Sequence, residues 1–144
     1  MFKRLLVPLD GSPLAVTALA PAIALAKQFE GELLLVRTAM ARTFPGKDPG
    51  PAQMKAIEEA KAYLETIANR LRKEGIQILT STPYDSPAAG IVDQAIFHQV
   101  DLIVMVVPGH KGLEALLHPW IAMRVFTHTN ASMLVWSGSK ADIV

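Results

Sequence analysis

The chain contains no cysteine, which excludes a disulfide framework, a thiolate zinc site and a cysteine nucleophile. It has no charge excess either. Its 14 basic and 13 acidic side chains leave a formal net charge of +1, so no broad field draws it toward nucleic acid, a membrane surface or an acidic partner. Long hydrophobic runs are also missing. Behind the basic pair of "MFKRLLVPLDGS" stands only "LLVPL", too short for a signal-peptide core, and no run approaches membrane-spanning length. A cytoplasmic chain with no nucleic-acid and no membrane partner is the expectation. The motifs G-x-x-x-x-G-K-(S/T) and G-x-S-x-G are absent, and spacing brings no acid–base pair together. No catalytic residue is therefore expected, and the chain does not read as an enzyme. Of its four histidines, His98, His110, His118 and His128, none stands at a close helical spacing from another histidine, so no metal site is expected.

What is present is a chain of 144 residues, 51% hydrophobic, enough for one domain over residues 1–144 with a substantial core. "RLLVPL" (Arg4 to Leu9) is a short apolar run closed by "DGS", the pattern of a buried strand entering a turn. Ser12 and Pro13 then read as a helix cap followed by proline at the first helical position. The spacing of Leu14, Ala18, Ala22, Leu25 and Phe29 predicts a helix that Gly31 stops and that Pro21 bends in its middle. "ELLLVRT" (Glu32 to Thr38) is nearly all apolar, as in a central parallel strand covered on both faces.

The proline- and glycine-rich "AMARTFPGKDPGP" reads as a loop, the expected mobile segment and a candidate lid. Ile57, Ala60, Leu64, Ile67 and Leu71 form one stripe of a helix over Ala52 to Glu74, ended by Gly75. "IQILTST" alternates like a strand nearer the sheet edge, and Ser86 and Pro87 repeat the cap-plus-proline pattern before a helix carrying Ile91, Ala95 and Ile96. "DLIVMVV" (Asp101 to Val107), a helix around Ile121 to Thr127 and a last strand "SMLVW" complete the order β-α-β-α-β-α-β-α-β. Strands alternating with crossover helices give an α/β fold, a five-stranded parallel sheet sandwiched between helices.

Ligands in such sheets bind outside the carboxyl ends of the strands, where the strand order reverses. The loops there are "DGSP", "RTAM" and "VPGHKG". Asp10 can accept hydrogen bonds from a ribose or an adenine amine, or it can serve ordinary turn chemistry. Gly109, His110, Lys111 and Gly112 suit an anion, or form a solvated loop.

The stretches "RLLVPLDGSPLAVTALAPAIALAKQFEGELLLVRT" and "DLIVMVVPGHKGLEALLHPWIAMRVFTHTNASMLVW" resemble the two ends of a universal stress protein domain. The resemblance implies a flavodoxin-like, adenine nucleotide alpha hydrolase-like architecture with strand order 3-2-1-4-5. It implies that Asp10 stands where the family contacts adenosine, and that Val36 stands at the strand-two position that meets the base through its backbone.

In the nucleotide-binding branch, strand four runs into M-G-(S/T)-(H/R)-G, then nine residues, then G-(S/T). Counted from Met105, these positions fall here on Val106, Val107, Pro108 and Gly109, and the final pair on Pro119 and Trp120. Only Gly109 is kept. Val106 adds a branched side chain, Pro119 removes an N–H donor, and Trp120 puts an indole either into the polyphosphate volume or against the strand ends as extra core. Each lost hydrogen bond to a charged phosphate is worth about 1.5 to 3 kcal/mol, so several erase micromolar affinity.

The expectation is a dimeric stress-response module that neither binds nor hydrolyses ATP and needs no cofactor. The alternative is an adenine-nucleotide sensor with an altered phosphate site, using Asp10 and Val36 for AMP or a similar compound. The dimer is expected through the last strand, at Met133, Leu134, Val135 and Trp136, because the resemblance implies that pairing and an apolar sheet edge invites it. A further protein partner is left unidentified by the sequence.

Overall fold

The apolar runs become strands whose successive residues face opposite sides of one sheet, and both sides are covered. The computed structural model describes residues 1–41, 43–107 and 119–138. The elements are β1 (Arg4–Pro8), α1 (Pro13–Val16), α2 (Leu19–Phe29), β2 (Glu32–Val36), α3 (Gly50–Arg72), β3 (Ile78–Ser81), α4 (Pro87–Phe97), β4 (Leu102–Val106), α5 (Pro119–His128) and β5 (Ser132–Trp136). The sheet order is β3-β2-β1-β4-β5 with every pairing parallel, as expected from the sequence.

Leu5, Val7, Leu33, Leu35, Leu102 and Val104 pack one face against α2 and α3. Leu6, Leu34, Val36, Ile103 and Met105 pack the other against α4 and α5. This two-sided burial is why the strands carry continuous rather than alternating apolar residues. At the amino end of the sheet the Asp101 carboxylate accepts the Lys3 N–H at 2.9 Å and the Arg4 N–H at 3.3 Å, tying β1 to the start of β4.

The helix expected to bend at Pro21 is instead two helices. α1 stops at Val16, and Pro21 sits in the first turn of α2, where its missing N–H has no intrahelical partner to lose. In a continuous helix the pyrrolidine ring would clash with the carbonyl four residues back, at Thr17, and the chain leaves helical bonding at that residue. α2 ends at Phe29 and is capped by Glu30, which itself takes the left-handed conformation (φ 53°), one residue before the expected stop. α3 begins at Gly50, two residues earlier than its apolar stripe announced.

Candidate functional site

The chain leaves β1 through an Asx turn in which Asp10 Oδ1 accepts the Ser12 N–H at 2.8 Å, and Ser12 Oγ caps α1 by accepting the Ala15 N–H at 3.2 Å. The turn chemistry of "DGS" is thus realised with one carboxylate oxygen. Asp10 Oδ2 has no hydrogen-bond partner among the described residues. The turn role and a ligand role are therefore compatible in one side chain.

Asp10 borders a cavity of about 340 Å³ at the carboxyl ends of β1 and β2, within the range of roughly 300 to 1,000 Å³ usual for small-molecule sites. Pro8, Leu9 and Val36 line it from the strands, Arg37, Thr38 and Met40 from the segment after β2, and Pro87 and Ile91 from the first turns of α4. Val36 is buried, and its carbonyl accepts the Leu9 N–H at 2.8 Å. The second lone pair of that oxygen remains for a ligand. The structure therefore brings Asp10 and Val36 to one cavity. Gly109, His110, Lys111 and Gly112 lie outside the described residues.

Three features around the cavity were not read from the sequence. Arg37 carries its guanidinium over the ring of Tyr63 of α3, 4.6 Å from the centroid, a cation–π arrangement. A β-carbon on Gly11 would lie 3.1 Å from Arg37 Nη2, which puts the guanidinium beside the Asp10–Gly11 turn. Burial pushes the Tyr63 phenol above its ordinary value, against the opposing pull of Arg37.

The second feature is Gly90, buried in α4, where a β-carbon would collide with Thr38 Cγ2 and lie 3.2 Å from Pro83. Glycine lets α4 approach the end of β2 closely enough to wall the cavity. A glycine inside the apolar helical run "PAAGIVDQAIF" was the available signal. The third is an anchor: Ala39 donates its N–H to Pro83 O at 2.8 Å and pairs with Tyr84, fixing the start of the loop after β2 to the loop after β3.

Trp120 does not pack as extra core. It is 59% exposed and is not among the residues lining the cavity. It continues on α5 into Met123 and Phe126, both exposed. The spacing of three residues puts these side chains on one side of the helix. Beside them an apolar groove of about 280 Å³ runs between α5 and β5, lined by Ala122, Met123, Phe126, Met133 and Val135. β5 is the last strand of the sheet, and Val135 on it is 55% exposed.

Among the described residues no three histidine, aspartate or glutamate side chains gather as metal ligands, and no helix is long and apolar enough to cross a membrane. His98 closes α4 and His128 ends α5, with its Nδ1 2.8 Å from Arg124 O. His110 and His118 lie outside the described residues.

Residues 1–136 match the model of the universal stress protein family. Universal stress protein MJ0531 of Methanocaldococcus jannaschii is 30% identical over 99% of this chain and 86% of its own length. The solved structure of protein MJ0577 is 26% identical and superposes with a TM-score of 0.81 over 97% of this chain and 99% of its own. A universal stress protein family protein from Arabidopsis thaliana, solved with AMP bound, shares the fold with a TM-score of 0.68 at 12% identity, over 97% of this chain and 94% of its own. The chain belongs to the universal stress protein family.

Proposed function

We propose that residues 1–144 form a single cytoplasmic, dimeric regulatory domain that takes an adenine nucleoside monophosphate in its strand-end cavity and does not bind or hydrolyse ATP. One observation carries this reading: Asp10 and Val36, the two expected nucleoside contacts, line a cavity that Trp120 does not enter. The cavity has an apolar wall at Val36 and Ile91 for a base and a carboxylate oxygen at Asp10 for ribose or amine donors. AMP in the Arabidopsis relative supports the ligand class.

Against ATP stand Val106 and Val107 where the family motif has glycine and a hydroxyl, and Pro119 at the start of α5 without an N–H donor. The dimer, expected through Met133, Leu134, Val135 and Trp136, is supported by the β5 edge and by Trp120, Met123 and Phe126 exposed beside it on α5. Titration calorimetry with AMP and ATP tests the reading. Saturable AMP binding with no ATP heat is expected. ATP binding as tight as AMP binding overturns the altered phosphate site, and no binding of either overturns the sensor.

A further inference from the structure

We infer that Met40 closes the strand-end cavity over its ligand, laying its thioether on a purine base and so selecting for an aromatic ring; this rests on the proposed function. The backbone beyond β2 keeps the alternation of a strand. Arg37 donates its N–H to Ser81 O at 3.1 Å and Ala39 to Pro83 O at 2.8 Å, and Ala39 pairs with Tyr84 in the register that pairs Val36 with Ser81. Successive side chains therefore face opposite sides of the sheet. Val36 packs in the core on the α4 side, Arg37 lies on Tyr63 of α3, and Thr38 Cγ2 meets Gly90 of α4. Met40 falls on the side of Val36 and Thr38, where it lines the cavity with Pro87 and Ile91.

Met40 is 64% exposed, whereas the other lining residues are buried or partly buried, so it stands at the mouth of the cavity. A single exposed apolar side chain is ordinary and marks nothing by itself. This one is held in place from both sides. Ala39 is tied to the loop after β3 through Pro83 O, and Ala41 is tied to it through an N–H donated to the Tyr84 hydroxyl at 3.4 Å. The Met40 backbone is thereby fixed at the rim, and its unbranched side chain is the part that can fold inward. Val36 and Ile91 form the apolar inner wall, and small-molecule sites bury most of their ligand's surface, so a base on that wall needs a cover on its outer side. A thioether suits the task, since it is polarisable, adapts through three rotatable bonds and makes favourable contacts with aromatic rings. Sugar and phosphate offer it no such contact.

The test combines calorimetry with NMR of protein carrying ¹³C-methyl methionine, on the wild type, Met40→Leu and Met40→Ala, each checked for an unchanged unfolding curve. Of the six methionine signals, the one missing from Met40→Leu belongs to Met40. AMP is expected to move it upfield through the ring current of the base, and ribose 5-phosphate, which has no base, is expected to leave it in place. AMP affinity should fall roughly fivefold to tenfold in Met40→Ala and stay within about twofold of wild type in Met40→Leu, which keeps the apolar volume. If AMP binds while the Met40 signal stays still, if ribose 5-phosphate moves it as far as AMP does, or if Met40→Ala binds AMP as the wild type does, the role of Met40 falls while the nucleoside site stands. If AMP does not bind up to millimolar concentration, the nucleoside site and the role of Met40 fall together.

Discussion

Gly90 of α4 lies directly against Thr38 at the end of β2, leaving no room for a β-carbon between them. In an open helix position, replacing glycine with alanine gains about 1 kcal/mol. Here the added methyl must push α4 away from the cavity wall, at an overpacking cost of about 1 to 3 kcal/mol. Gly90→Ala is therefore expected to be less stable by about 1 kcal/mol in urea unfolding and to bind AMP more weakly, because Thr38, Pro87 and Ile91 all line the cavity. A variant more stable than wild type would mean that α4 is not held against β2.

The two roles of Asp10 separate by substitution. Asp10→Asn keeps an oxygen for the Ser12 N–H but loses the charge and puts an amide donor where the free acceptor oxygen stood. Its stability is expected within about 1 kcal/mol of wild type, with AMP affinity lowered roughly tenfold. Asp10→Ala loses the turn as well and is expected to be less stable than Asp10→Asn. Equal AMP affinity in all three proteins would leave Asp10 a turn residue only.

The face formed by α5 and β5 predicts the oligomeric state. Val135 is exposed at the sheet edge beside the apolar groove, so Val135→Lys puts a charge where a second copy is expected to pair. Light scattering should give a dimer for the wild type and a monomer for the variant. Monomer stability is expected to change by less than about 0.5 kcal/mol, as for an exposed site. A monomeric wild type refutes the dimer outright.

How much of this was legible in the sequence depended on whether a feature is local. The strands of "RLLVPL", "ELLLV" and "SMLVW" declare themselves because burial on both faces demands continuous apolar residues. Asp10 was legible as the residue ending the first strand, and Val36 only through the family resemblance. Arg37 on Tyr63 and Gly90 on Thr38 join residues 26 and 52 positions apart in sequence, and neither pattern nor spacing encodes such contacts. The exposure of Trp120 was not legible for a related reason. An indole in that position reads either as a plug of the phosphate volume or as extra core, and the direction of a side chain on α5 is set by how the whole helix packs, with Ile121, Ala122 and Val125 facing inward.

Glu65 gives the fold a pH dependence that can be assigned. Its Oε1 accepts the Thr80 hydroxyl at 2.8 Å and its Oε2 accepts Arg72 Nη1 at 3.0 Å, while Arg72 Nη2 donates to Ile78 O at 3.0 Å, so the group ties α3 to the edge strand β3. The Thr80 hydroxyl first, and the Arg72 guanidinium second, hold the Glu65 carboxyl below its ordinary value of 4.5. Between that depressed value and 4.5 the unfolded chain binds the proton and the folded chain does not, so stability falls as pH falls through this window. The contribution is fully present above the ordinary value and gone below the depressed one. Glu65→Gln keeps the Thr80 contact without the charge, so its stability deficit relative to wild type is expected at neutral pH and should shrink to a constant remainder as acid protonates Glu65. Because the pair is partly exposed, salt should also narrow the deficit. Parallel unfolding curves for the two proteins across the acid range would show that the ionised form of Glu65 does not stabilise the edge of the sheet.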